Sequence, residues 1–193
     1  MKNILIIDNY DSFSFNLLQL FEEAGAKVTI RKPNEGENMD LKGFEGIVLS
    51  PGPGIPTEDR CMLPIIERAV GKIPLLGVCF GYLALGLYFG AVLKKIMPVV
   101  HGQRATIRQT RHSDPLFNNL PRPFEAGLYH SWVLDSEQLP PELLPTAVSE
   151  DGRLMAFRHR SIDVAGIQFH PESYMTKEGA MIAKNWLVRV VPR

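Results

Sequence analysis

Short apolar runs alternate with helix-like segments as far as Gly90, and this alternation constrains the fold more than any other feature of the chain. Four of the runs are candidate strands: Asn3–Asp8, Lys27–Ile30, Gly46–Ser50 and Ile73–Val78. Apolar residues at helical spacing predict one helix from an N-cap at Ser12 to about Gly25, and another from about Glu58 to Val70. Strands and helices in this order are typical of parallel β-α-β units in a doubly wound sheet.

The pattern changes after Gly90. Four short apolar segments separated by turn residues suggest antiparallel additions: Arg104–Thr110, Thr146–Ser149, Leu154–Arg158 and Asp163–Phe169. Apolar residues at helical spacing from about Lys177 to Val190 predict a final helix. No repeat or linker interrupts the chain, so the sequence predicts a single α/β domain over residues 1–193, with a mostly parallel, doubly wound sheet and antiparallel additions.

Composition argues against several classes of protein. Lysine plus arginine total 21 and aspartate plus glutamate total 21, so no basic surplus indicates a nucleic-acid partner. Two cysteines are too few for a disulfide framework and fit a reducing, cytoplasmic location. The uncharged stretch from Ile73 to Leu93 is long enough to span a bilayer, but Pro74 and four glycines divide it. We therefore expect a buried strand, a turn and a short helix there, and no membrane partner.

Cys79 is the candidate nucleophile. It follows an apolar run, is flanked by glycines, and precedes a predicted helix over Phe80–Phe89, as in a strand-turn-helix nucleophile elbow. A helix N-terminus favours the reactive thiolate. The alternative is a small buried hydrophobic residue, which would be the better interpretation for Cys79 alone. Cys61 has no comparable setting and is assigned to packing.

His170 and Glu172 could activate such a thiol. They lie two positions apart in a segment expected to be extended, so both side chains would point to the same side. Pro171 favours extended backbone at His170. His170 would act as base and acid, with Glu172 orienting its imidazole. For a lone pair of this kind, an ordinary histidine beside an exposed carboxylate is the better interpretation.

A glycine-proline loop, Pro51–Gly54, follows the third candidate strand. Its backbone N–H groups could form an oxyanion hole together with the N–H of Phe80. A simple tight turn explains this motif alone equally well. Asp8, this loop and Cys79 all follow predicted strands, and in open α/β sheets function collects at those ends.

Taken in order, the motifs resemble the class I (triad) glutamine amidotransferases. They are Gly77–Gly81, Pro51–Gly54, Tyr129-His130-Ser131 and Phe169–Ser173. The opening Asp8–Phe13 and His101-Gly102 are similar to the small subunits, component II, of anthranilate synthase and aminodeoxychorismate synthase. The resemblance extends over nearly the whole chain and rests on the ordered set of motifs.

The resemblance implies a Cys79-His170-Glu172 triad that hydrolyses the side-chain amide of L-glutamine. It implies that Gly52, within the loop that continues through Pro53 and Gly54, and Phe80 hold the oxyanion through their N–H groups. Ser131 and the backbone of Trp132 match positions that bind the substrate. The implied partner is a chorismate-using synthase large subunit, component I, which receives the ammonia. The resemblance implies no metal or organic cofactor in this subunit.

Tyr82 and Leu83 depart from the family pattern, which has histidine and glutamine at these positions. The family glutamine helps to hold the substrate, and leucine offers no hydrogen bond in its place. One alternative is therefore a weakened subunit that acts mainly as a binding or regulatory partner. Another is a stand-alone γ-glutamyl hydrolase, against which the Asp8–Phe13 segment argues.

Overall fold

The computed structural model describes residues 1–36, 38–57 and 61–190. The strands in this part of the chain are β1 (Lys2–Ile7), β2 (Ala26–Arg31), β3 (Gly46–Leu49), β4 (Leu75–Val78), β5 (Leu93–Gln109), β6 (Phe124–Leu134), β7 (Leu143–Ser149), β8 (Leu154–His159) and β9 (Val164–Ile167). Its α-helices are α1 (Ser14–Glu23), α2 (Pro33–Gly36), α3 (Leu63–Ala69), α4 (Phe80–Tyr88) and α5 (Gly179–Arg189).

These strands form one mixed sheet in the order β2-β1-β3-β4-β9-β8-β7-β5-β6. Neighbours from β2 to β9 are parallel, and neighbours from β9 to β6 are antiparallel. The predicted parallel sheet with antiparallel additions is confirmed. One segment was wrongly grouped: β9, within Asp163–Phe169, is parallel to β4 as well as antiparallel to β8. It returns to the centre of the sheet and brings the following residues beside the end of β4.

Helices cover both faces of the parallel half. Ile4 and Ile6 of β1 pack on the side of α1 and α5, whereas Leu5 and Ile7 pack on the side of α3 and α4. All four side chains are fully buried. This alternation follows from the two-residue period of a strand and explains why β1 is apolar throughout instead of alternating with polar residues.

Several element boundaries differ from the predictions. The N-cap of α1 is Phe13, without a side-chain cap, so Ser12 as N-cap is wrong. The helix predicted from about Glu58 begins at Leu63 in the described residues, and residues 58–60 lie outside them. Strand β6 was not predicted. Among the described residues no helix is long and apolar enough to cross a membrane, and the uncharged stretch holds β4, a turn and α4.

Candidate active site

Cys79 occupies a sharp turn between β4 and α4. Its backbone has φ +51° and ψ −99°, a region that non-glycine residues rarely adopt. A Cβ on Gly81 would lie 2.3 Å from the carbonyl oxygen of Leu49, and one on Gly77 would lie 2.4 Å from that of Gly81. Only glycine permits this close approach of strand and helix. The predicted strand-turn-helix elbow is therefore confirmed, with a strained cysteine at its tip.

His170 and Glu172 form a buried pair. Nδ1 of His170 lies 2.7 Å from Oε1 of Glu172, and the two side chains are 4% and 0% exposed. The backbone reason predicted for this pairing is wrong, because Glu172 lies in a turn, not in a strand. The turn is held by Thr176, whose hydroxyl donates to the His170 carbonyl at 2.7 Å. The His170 N–H donates to the Gly127 carbonyl of β6 at 3.0 Å.

The imidazole of His170 is held in its charged form. Burial alone would lower the pKa of His170, but the negative charges of Cys79 and Glu172 outweigh burial and raise it well above the ordinary value of 6.5. Its Nε2 is buried and has no hydrogen-bond partner among the described residues. A protonated Nε2 near the sulfur is available to donate a proton to a leaving group.

The Pro51–Gly54 loop is fixed against the elbow. Asn9, at the end of β1, donates from Nδ2 to the Pro53 carbonyl at 3.4 Å, and its Nδ2 would lie 2.2 Å from a Cβ on Gly52. The Ser50 carbonyl, just before the loop, accepts a 3.2 Å bond from the Gly81 N–H. The Pro51–Gly54 loop and the start of α4 are therefore neighbours. The two sequence motifs by themselves did not require this.

The backbone of two further residues in the predicted oxyanion site, Phe80 and Gly54, can be described. Phe80 is the first residue of α4, so its N–H has no acceptor within the helix. Gly54 has φ +87°, a conformation that favours glycine. Cys61, assigned to packing, also donates from its sulfur to Asn9 Oδ1 at 3.2 Å, and so contacts the residue that supports the loop.

Ser131 and Trp132 lie on β6, the strand whose Gly127 and Tyr129 contact His170. Tyr129, two residues before Ser131 on the same strand, lies edge-on to His170 with ring centroids 4.8 Å apart. Nδ1 of His130 lies 3.0 Å from the Trp132 carbonyl. Burial lowers the pKa of His130 to about 4, so at neutral pH the uncharged ring donates from Nδ1 and holds this backbone. The strand thus presents Ser131 on the face where Tyr129 meets His170.

A hydrogen-bonded network holds the segment between β1 and α1. The buried Asp8 accepts from Ser14 Oγ at 2.6 Å and pairs with the ammonium of Lys32. Burial alone would raise the pKa of Asp8, but the Lys32 and Ser14 hydrogen bonds outweigh it and lower the pKa. Asp11 accepts from the Phe13 N–H at 2.6 Å. The network places the Phe13 ring against His170, and Asp8 replaces the predicted Ser12 cap as the organising residue.

Tyr82 and Leu83 have different positions. Tyr82 is fully buried, donates from its hydroxyl to the Leu154 carbonyl at 3.1 Å, and packs on Phe157 at 5.2 Å. It is a core residue whose ring and hydroxyl both contact β8. Leu83 is 5% exposed and its N–H donates to the Cys79 carbonyl at 3.0 Å. Leu83 thus lies one helical turn from Cys79, with its side chain in the apolar cluster beneath α4.

Sequence reasoning missed Gln168. Its side chain is fully buried, and Nε2 lies 3.7 Å from the Cys79 sulfur, within hydrogen-bond range for sulfur. The signal was available, because Gln168 precedes His170 by two positions, the same spacing that singled out Glu172 after it.

Comparison with known proteins agrees with this geometry. The family model for "Glutamine amidotransferase class-I" matches residues 5–190. The chain is 40% identical over 188 residues to aminodeoxychorismate synthase component 2 of Klebsiella aerogenes, covering 96% of this chain and 100% of that one. It is 42% identical over 192 residues to anthranilate synthase component 2 of Pseudomonas aeruginosa, covering 95% of this chain and 94% of that one.

A solved structure supports the fold. A glutamine amidotransferase from Thermotoga maritima matches with a TM-score of 0.73 at 19% identity, covering 97% of this chain and 81% of that one. The two curated relatives carry different names at nearly equal identity. Overall similarity therefore does not separate the two synthases.

Proposed function

The chain belongs to the class-I glutamine amidotransferase family, and from this premise we propose that it is the glutaminase subunit of a chorismate-using synthase. It hydrolyses L-glutamine with Cys79, His170 and Glu172 and passes ammonia to a component I subunit that forms anthranilate or 4-amino-4-deoxychorismate. The observation that carries the proposal is the placement of a raised-pKa histidine, paired at 2.7 Å with a buried carboxylate, beside a cysteine at a strained elbow.

In the first half of the reaction, the Cys79 thiolate attacks the side-chain amide carbon of glutamine. The developing oxyanion accepts hydrogen bonds from the N–H groups of Gly52 and Phe80. His170 donates its Nε2 proton to the amide nitrogen, the C–N bond breaks, and ammonia leaves a γ-glutamyl thioester. Glu172 remains charged and holds the imidazole through Nδ1.

In the second half, the now neutral His170 removes a proton from water, which attacks the thioester carbon. The C–S bond breaks, glutamate leaves, and the thiolate and imidazolium are restored. Ser131 and the Trp132 backbone bind the amino-acid end of the substrate, and the rigid Pro53-Gly54 segment shapes the oxyanion site. The cycle consumes water and glutamine and needs no metal or organic cofactor in this subunit.

Ammonia transfer requires a docked partner, and the names of both relatives, each a "component 2", support one. Exposed aromatic side chains in segments next to the site offer a contact surface: Tyr10 is 60% exposed and Tyr174 79%. Tyr10 precedes Phe13, and Tyr174 follows Glu172 by two residues. We place the complex in the cytoplasm, where a nucleophilic thiol stays reduced.

The test measures glutamate release and product formation by wild type, Cys79→Ser and the matched control Cys61→Ser, each with either synthase large subunit and chorismate. Cys79→Ser should abolish glutamine-dependent synthesis and spare synthesis fed with ammonium, whereas Cys61→Ser should retain both. Loss of the ammonium-fed reaction in Cys79→Ser would contradict the division of labour. The large subunit that stimulates release identifies the branch, and gel filtration with it separates a partnered subunit from a stand-alone hydrolase.

The second candidate is a weakened subunit, and Leu83 is the observation that favours it, since a nearly buried leucine cannot replace an amide that binds substrate. Complex formation without Cys79-dependent glutamate release would establish that candidate instead.

A further inference from the structure

We propose that Gln168 is a positioning residue for the Cys79 thiolate, an inference that rests on the proposed glutaminase function. Its amide Nε2–H donates to the sulfur, stabilises the charged form and keeps the sulfur aimed at the substrate carbon between turnovers. His170 also interacts with Cys79, but it cannot play this part throughout the cycle because it must carry and release a proton.

Both ends of the contact are anchored by backbone. The Gln168 N–H donates to the Met155 carbonyl of β8 at 2.8 Å, and the Cys79 N–H donates to the Ile167 carbonyl at the end of β9 at 2.9 Å. The amide and the sulfur therefore stand at the ends of two paired strands, β9 and β4. The 3.7 Å separation of Nε2 and Sγ is set by the sheet itself and does not depend on a mobile loop.

The burial of Gln168 indicates that its amide is retained for a contact that an apolar side chain could not make. The residue is fully buried, and its Oε1 has no hydrogen-bond partner among the described residues. An apolar side chain of the same length would fill this space without leaving a buried oxygen unpaired. The contact that distinguishes glutamine from such a side chain is the one from Nε2 to the sulfur.

Gln168 and His170 approach the sulfur from one chain segment. Phe169, between them, turns to the other side and packs on Phe124 with ring centroids 5.6 Å apart. The positive charge with which His170 interacts with Cys79 disappears when the imidazolium gives its proton to the amide nitrogen that leaves as ammonia. The amide of Gln168 is neutral and remains a donor at every step and every pH. It can therefore stabilise the negative charge that returns to the sulfur when the C–S bond of the thioester breaks.

The test uses Gln168→Met, which keeps the length and loses the donor. Thiolate content is read as the rate of Cys79 alkylation by iodoacetamide against pH, followed on the Cys79 peptide by mass spectrometry so that Cys61 does not contribute. We expect the midpoint of the profile to move up by about one pH unit. In the complex, glutaminase kcat should fall about tenfold with KM for glutamine within about twofold, and ammonium-fed synthesis should be unchanged.

Thr146→Val is the matched control. It also removes a fully buried polar atom without a described partner, in β7, away from the sulfur, and should leave both profiles as in wild type. Gln168→Glu is a second variant for the alkylation measurement, because glutamate has nearly the shape of glutamine. It places a hydrogen-bond acceptor beside the sulfur, so the alkylation midpoint should move up at least as far as in Gln168→Met.

Folded variants of Gln168 whose alkylation midpoint coincides with that of wild type would overturn the proposal. Absence of glutamate release by the wild-type complex would instead overturn the proposed function, because the alkylation profile is measured without turnover.

Discussion

The ring of Phe13 stands edge-on to the imidazole of His170, with centroids 6.1 Å apart and planes at 75°. Phe13 also packs on Tyr129 at 5.5 Å, and Tyr129 in turn packs on the imidazole. The residue that caps α1 and a residue of β6 thus form an aromatic wall beside the histidine. Because Glu172 holds Nδ1 of the same ring, the wall and the carboxylate together fix the direction in which Nε2 points.

We expect Phe13→Ala to make the orientation of the His170 ring less fixed. Losing two aromatic contacts should lower the free energy of unfolding by about 1–2 kcal/mol. The misdirected proton donor should lower glutaminase kcat about tenfold with little change in KM for glutamine. Steady-state kinetics of the complex and thermal unfolding of the subunit measure the two effects.

The control for this variant is Phe15→Ala on the same helix, because the Phe15 side chain is 66% exposed. Its unfolding free energy should stay within about 0.5 kcal/mol of wild type. Equal stability losses in the two variants would show that the Phe13 ring contributes nothing through its contacts.

The charge of His170 makes a prediction about pH. Because Cys79 and Glu172 raise its pKa in spite of burial, the imidazolium stabilises the fold fully below pH 6.5. This contribution is lost as pH rises through the higher folded-state pKa. Glu172→Gln removes one of the two raising charges, so the NMR titration of the His170 ring should move to lower pH. Cys79→Ser should move it in the same direction.

Stability measured against pH checks the same interaction. Between about pH 6 and 9, the difference in unfolding free energy between wild type and Glu172→Gln should shrink as pH rises. Glu150→Gln is the control, because Glu150 pairs with Arg108 at 3.1 Å where both side chains are more than half exposed. That control should lie within about 1 kcal/mol of wild type throughout. A difference for Glu172→Gln that grew with pH would mean that the pair is not charge-coupled.

Tyr82→Phe tests whether the first departure from the family pattern is structural. The change removes the hydroxyl bond to the Leu154 carbonyl and retains the ring packing on Phe157. We expect a loss of about 1–2 kcal/mol in unfolding free energy, with the KM for glutamine unchanged. An altered KM would place the hydroxyl, directly or through α4, in the substrate site.

Local patterns predicted the elbow at the centre of the candidate site. The run before Cys79 and its flanking glycines determine the elbow, because the close approach of β4 and α4 depends on residues within a few positions of one another. Strand β6 is different. Its segment holds glycine, histidine and serine, and it becomes a strand through a long antiparallel pairing with β5 that has two register shifts. Such pairing depends on distant residues and leaves a weak local signal.

The remaining errors have the same origin. Ser12 was expected to cap α1, but the buried Asp8, which pairs with Lys32 just after β2, organises this segment instead. His170 and Glu172 meet because Thr176 closes a turn. The two side chains were correctly predicted to be neighbours, but the extended strand given as the reason was wrong. Tertiary contacts outweighed local propensity in each case.

Leu83→Gln is the variant that decides how this chain accommodates glutamine. Leu83 follows Cys79 by one helical turn and is 5% exposed, so an amide introduced there begins one turn of α4 away from the nucleophile. If the substrate's polar groups lack a partner in wild type, the new amide should lower the KM for glutamine up to about tenfold, while an amide in this apolar setting costs about 1–3 kcal/mol of stability. Leu87→Gln, one turn further and lining the cleft between α3 and α4, is the control and should leave KM unchanged. An unchanged or higher KM in Leu83→Gln would show that another group already binds the substrate, and would remove the main argument for a weakened subunit.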